Sequence, residues 1–300
     1  MLCAIPLAAC ASDPGRINEA AEQRAADDPQ AMARIADAAV RSGDIQSANA
    51  FYSRAAKLAP TDVPAQIRYA NTLAALGRVN EAVAALRQAQ AHAPDDASLS
   101  LALGQCLVST RQAGAAAGVF RRGLAAHPRN AALLVGLGVA LDLARDPAGA
   151  QAAYMDALKL DPGSTAARND LALSLALSNQ PSEAIRRLSA LRDDLARDGA
   201  APAQVATVAG NLALAYGLAG DMGSAMQAGG ASMQPGDLAR NARFYSALAG
   251  GPPKGAARGA TGTGTPGSGA GDRSGLPASA GSAAPSEPAG PGAAIAPMPD

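Results

Sequence analysis

Tryptophan is absent from the 300 residues, and the aromatic residues together make up 3%. A core built on large stacked rings is thereby excluded. The abundant alanine, the best helix former, points instead to helices in close contact. An excess of one charge sign is also lacking, since 25 Lys and Arg balance 25 Asp and Glu. A nucleic-acid binder needs a basic face to neutralise phosphates, so no nucleic-acid partner is expected. Only two histidines occur, His92 and His127. They stand beside prolines near helix ends, where a basic side chain suits the helix C-terminus, and nothing joins them in one metal site. No Ser/His/Asp or Cys/His arrangement and no paired carboxylates stand out. The chain is therefore expected not to be an enzyme, with no catalytic residues, metal site, cofactor or small-molecule substrate.

Long hydrophobic runs are missing too. Residues 200–220 carry no charge, but Pro202, Gln204, Asn211 and several glycines interrupt them. A membrane span needs about 20 predominantly apolar residues. From Gly250 to Asp300 almost nothing could offset the entropy lost on folding, because the text is Gly, Ala, Pro, Ser and Thr. Residues 250–300 are thus expected to form a disordered tail. Gly262, Gly264 and Gly267 fit a GxGxxG pattern there, without the preceding strand and following helix that a dinucleotide site requires.

What is present is a period. Pro60, Pro94, Pro128 and Pro162 follow one another at steps of 34 residues. Ala48, Ala82, Ala116, Ala150 and Ala184 keep the same step. Ala36, Ala70, Gly104, Gly138 and Ala172 form a small column, and Tyr52, Leu86, Phe120, Tyr154 and Leu188 a large one. Small positions allow two helices to approach, and large ones fill the space between units. Each proline ends a helix because it has no N–H to offer. Asp62, Asp96, Asn130 and Ser164 follow two residues later as N-caps of the next helix. Gly43 and Gly77 fall at the turns inside units.

These columns resemble the tetratricopeptide repeat, whose spacing is about 34 residues. The tryptophan usual near the start of the first helix is replaced by Met32, Gln66, Ser100, Leu134 and Arg168. The fifth unit has no proline at 196; its second helix runs on through "EAIRRLSALRDDLARDG", and the sixth unit returns 41 residues later. The expected architecture is an all-α, right-handed solenoid of about six helix-turn-helix units over residues 16–249.

The chain opens "MLCAIPLAACAS", in which Leu7, Ala8, Ala9 and Cys10 resemble a bacterial lipobox. The resemblance implies a signal segment over residues 1–10, cleavage before Cys10 and lipidation of Cys10. Ala11 and Ser12 then imply the outer membrane. No Lys or Arg precedes Arg16, so the true start is expected upstream of Met1. Cys3 would be removed and Cys10 acylated. Cys106 would be left as a buried, unpaired thiol, with no disulfide framework.

The series "RNDLALSLALSNQPSEAIRRL" (168–188), "NLALAYGLAGDMGSA" (211–225) and "LARNARFYSAL" (238–248), together with the lipobox and the repeats, resembles the TadD family. These are tetratricopeptide lipoproteins of tight-adherence (Flp) pilus assembly. The resemblance covers about residues 1–249. It implies a lipid-anchored protein on the periplasmic face of the outer membrane that helps a secretin or another component of a pilus secretion machine to assemble. Service to another envelope machine, or regulation of an enzyme, remains open at this level.

In tetratricopeptide proteins the first helix of each unit lines an inner groove. The corresponding columns here read Ala33, Ile67, Leu101, Val135, Asn169; then Asp37, Asn71, Gln105, Val139, Leu173; then Val40, Ala74, Val108, Asp142, Ala176. They contain no lysine, so the carboxylate clamp of chaperone-binding relatives is missing. The groove turns from polar to apolar along the chain. Its expected partner-binding residues are Ile67, Asn71, Leu101, Gln105, Val108, Val135, Val139, Asp142 and Leu173, and its expected partner is an apolar or amphipathic protein segment. Partial burial of Ile67, Leu101 and Val135 in the core is the competing expectation.

Overall fold

The computed structural model describes residues 28–229, which are helices joined by short turns. The limits expected at 16 and 249, the lipobox with Cys10, the "LARNARFYSAL" segment and the tail 250–300 lie outside these residues. Twelve helices among the described residues form six pairs. The first helices of the pairs are α1 (Pro29–Arg41), α3 (Val63–Ala75), α5 (Ala97–Ser109), α7 (Ala131–Leu143), α9 (Thr165–Leu177) and α11 (Pro202–Leu218). The second helices are α2 (Ile45–Leu58), α4 (Val79–His92), α6 (Ala113–Ala126), α8 (Pro147–Leu160), α10 (Pro181–Arg197) and α12 (Met222–Gly229).

Local chemistry sets these limits. Asp28, Asp62, Asp96, Asn130 and Ser164 cap α1, α3, α5, α7 and α9, each accepting a backbone N–H two or three residues on. These bonds satisfy donors that would otherwise have no partner at the helix start. The turn inside each unit passes through one left-handed residue. Gly43 and Gly77 take that role in the first two units, with φ of 80° and 76°. Arg111, Arg145 and Asn179 take it in the next three, with φ of 57°, 63° and 61°. The period therefore extends to a backbone conformation that residue identity conceals.

Packing follows the two columns. Ala36, Ala70, Gly104, Gly138 and Ala172 are buried, and so are Tyr52, Leu86, Phe120, Tyr154 and Leu188. A β-carbon built on Gly104 would stand 2.3 Å from Cζ of Phe120, and one on Gly136 would stand 2.4 Å from Cε1 of the same ring. Phe120 thus closes its own unit and the junction with the next. One apolar core runs from Ala70 to Ala215, while Ala36, Ala48 and Tyr52 form a separate cluster in the first unit. Cys106 is buried and unpaired, and burial pushes its thiol pKa up. Ser100, in the column where the repeat family carries tryptophan, is fully buried, and its hydroxyl has no hydrogen-bond partner.

The long α10 is tied back by Arg168, whose guanidinium donates to Asp194 at 2.5 Å while Arg197 donates to the other carboxylate oxygen. No described helix is long and apolar enough to cross a membrane.

Candidate functional site

Successive first helices lie side by side: α3 on α5, α5 on α7, α7 on α9 and α9 on α11. Among the described residues no comparable contact joins successive second helices; α2, α4, α6, α8 and α10 each touch the first helices before and after them, and α12 touches α11. The first helices therefore form the crowded layer, and their outward faces make one continuous surface. Positions i, i+4 and i+7 share a helix face. On α5 these are Leu101, Gln105 and Val108; on α7 they are Val135, Val139 and Asp142.

The structure places every expected groove residue at least partly in contact with solvent. Asn71 and Gln105 are exposed, and Ile67, Leu101, Val108, Val135, Val139, Asp142 and Leu173 are half-buried. Five of them, Ile67, Leu101, Val108, Val135 and Val139, also pack against the core. Each of these five side chains, Ile67, Leu101 and Val135 among them, is divided between core and surface.

Polar clusters flank the apolar middle. Near the first turn of the solenoid, the Tyr52 hydroxyl donates to Asp37, and Arg68 donates to both oxygens of Asp37 at 3.0 and 2.9 Å. Burial, with the Asp37 carboxylate beside it, pushes the Tyr52 phenol up to about 12. Toward the other end, Asp142 accepts from the Tyr154 hydroxyl at 3.0 Å and from the Ser174 hydroxyl at 2.8 Å. Asn211 donates to Asn169 at 2.8 Å, and Asn169 donates to Asp170 at 3.1 Å. Desolvation raises the pKa of both Asp142 and Asp170; the Asp142 charge adds to the rise at Asp170. Burial foremost, then these carboxylates, also raises the Tyr154 phenol.

The three groove columns did not show this second cluster. Asp142 and Asn169 belong to them, but Tyr154, Asp170, Ser174 and Asn211 do not. A usable signal lies one column away, where Arg34, Arg68, Ala102, Gly136 and Asp170 follow at 34-residue steps. An acid there, after two small residues, departs from the pattern.

Among the described residues, no group of three or more His, Cys, Asp or Glu side chains is placed to hold a metal ion. His92 is exposed at the end of α4, and the His127 ring bonds through Nε2 to the Asp95 carbonyl at 2.6 Å, joining two inter-unit loops.

Residues 39–106 and 107–165 match two family models, each described as tetratricopeptide repeat. Solved structures share the fold. A tetratricopeptide repeat protein from Parabacteroides merdae ATCC 43184 is 15% identical, with a TM-score of 0.59 over 74% of this chain and 86% of that one. PilW, described as a widely conserved type IV pilus biogenesis factor, is 20% identical, with a TM-score of 0.58 over 71% of this chain and 98% of its own. TTC0263 from Thermus thermophilus, a thermophilic protein of the same repeat type, is 22% identical, with a TM-score of 0.53 over 61% and 98%. No curated protein sequence matches the chain. Over the described residues the chain is an all-α, tetratricopeptide-like solenoid of six helix-turn-helix units.

Proposed function

We propose that this solenoid is a non-enzymatic scaffold for contacts between proteins, a lipoprotein held at the periplasmic face of the outer membrane by acylated Cys10, and that it helps to assemble a tight-adherence (Flp) pilus secretion machine. Its surface for a machine component, such as a secretin, is the row of half-buried apolar side chains on α3, α5 and α7. That row is the observation on which the reading rests. Leu101 and Val135 are supported by the core yet open to solvent, so they can be covered by a partner without refolding. A few well-packed, central residues carry most of the affinity in protein interfaces, and Leu101 and Val135 are placed to be among them.

Three further features support the envelope setting. The lipobox resemblance at Leu7–Cys10 supplies an anchor, and several acyl chains hold a protein firmly at a membrane, at about 0.8 kcal/mol per buried CH₂. The C-terminal series resembles the TadD family. PilW, described as a type IV pilus biogenesis factor, has a similar fold, which supports the reading.

The test uses a strain in which the native gene, with its upstream sequence, replaces a deletion. A palmitate analogue should label the wild type and not Cys10→Ala. Pili should be restored by the wild type and lost with Leu101→Asp/Val135→Asp, or with the milder Leu101→Gln/Val135→Gln if the acidic pair impairs folding by circular dichroism. Equal labelling of Cys10→Ala removes the lipid anchor. Full piliation with a folded groove variant removes the groove.

A further inference from the structure

Tyr52 and Tyr154 stand 102 residues apart, three periods, and each sends its hydroxyl to a carboxylate on a first helix. Their surroundings then diverge. Beside Tyr52, the carboxylate of Asp37 is neutralised by Arg68. The residue three periods after Arg68 is Asp170, so an acid occupies the place of the cation. No Lys or Arg among the described residues forms an ion pair with Asp142 or Asp170. The nearby basic side chain of α9, Arg168, is committed to Asp194.

This acidic end is continuous with the apolar row. Asp142 lies one turn beyond Val139 on α7, and Asp170 one turn before Leu173 on α9, at the i, i+3 spacing that makes helix neighbours. Val139, Asp142, Asp170 and Leu173 are half-buried, so each offers part of its surface to an incoming chain. A half-desolvated carboxylate without a counter-charge is costly, and a cation supplied from outside relieves that cost.

We infer that the groove accepts an amphipathic protein segment whose apolar side chains cover Leu101, Val135 and Val139 and whose arginine or lysine seats between Asp142 and Asp170. The inference rests on the groove reading above and adds the chemistry of the occupant. Arginine suits the place better than lysine, because its planar fork can donate to two carboxylates at once. The segment enters as Arg68 does in the second unit, except that it comes from another molecule.

The experiment is selection of displayed random dodecapeptides on the full chain, on Asp142→Asn/Asp170→Asn and on Leu101→Asp/Val135→Asp, each checked for helical content and melting midpoint. Peptides selected on the wild type should combine apolar residues with an Arg or Lys. The Asp→Asn pair should select apolar peptides without that enrichment and should bind a wild-type-selected peptide roughly tenfold more weakly, a loss of about 1.4 kcal/mol. Equal Arg and Lys frequency in the two pools overturns the inference and leaves the groove reading intact. A pool no richer than that from bare support, both with and without residues 250–300, overturns both. Selection that succeeds only after removal of residues 250–300, which carry Lys254, Arg258 and Arg273, assigns the groove to the chain's own tail and overturns the partner. If the acidic Leu101/Val135 variant is unfolded, Leu101→Gln/Val135→Gln takes its place.

Discussion

Gly138 lies directly beneath the ring of Tyr154: a β-carbon at 138 would stand 2.4 Å from Cε1 and 2.7 Å from Cδ1 and Cζ. The ring is buried and its hydroxyl is held by Asp142, so it has little freedom to yield. Gly138→Ala is expected to destabilise the fourth unit by about 1–3 kcal/mol, the usual cost of overpacking, despite the better helix propensity of alanine. A lower urea midpoint by circular dichroism is the expected result. Combining it with Tyr154→Leu should recover part of the loss, because the clash is with the ring.

Arg145 holds φ at 63° where the first two units use glycine. The left-handed region costs an L-residue roughly 1–2 kcal/mol, part of which glycine's greater unfolded entropy offsets. Arg145→Gly is expected to raise stability by about 0.5–1 kcal/mol. A matched Gly77→Ala change, at φ of 76°, should lower it. The pair of denaturation midpoints moving in opposite directions checks the conformational assignment.

Asp142 and Asp170 have pKa values above the ordinary 3.8, from desolvation first. An acid with a raised folded value binds protons more tightly in the folded state. Its contribution is fully present below 3.8 and is lost as pH rises through the raised values. The wild type should therefore lose stability relative to Asp142→Asn/Asp170→Asn as pH rises across that window. Asp44, Glu81, Glu183, Asp194 and Asp221 have lowered values and work in the opposite direction, but they are common to both proteins and cancel in the difference. Melting midpoints of both proteins between about pH 3 and pH 7 test this; a pH-independent difference contradicts it.

Much of the fold was legible because solenoid packing repeats the same demands every 34 residues. The small column, the ring column and the caps at Asp62, Asp96, Asn130 and Ser164 each answer one local requirement, and sequence records them directly. The left-handed turn was legible only where glycine fills it; Arg111, Arg145 and Asn179 adopt the same φ without announcing it. The candidate site was legible in part. Its apolar row follows from the resemblance to the tetratricopeptide repeat, whose first helices line a groove, and Asp142 appears in it. The meeting of Asp142 with Tyr154 and Ser174 depends on how three helices converge, and no single column contains that information.

The central claim is that the face formed by successive first helices is the surface on which a protein partner lies. A photo-reactive amino acid placed at Leu101 or Val135, with Met155 on α8 as the reference, measures this most directly. Met155 is 48% exposed and belongs to a second helix, so it reports the opposite layer. Irradiation of native envelopes should give a discrete adduct, identified by mass spectrometry, from positions 101 and 135 and none from 155. Adducts from 155 alone, with 101 and 135 silent in a folded and normally expressed protein, would contradict the account.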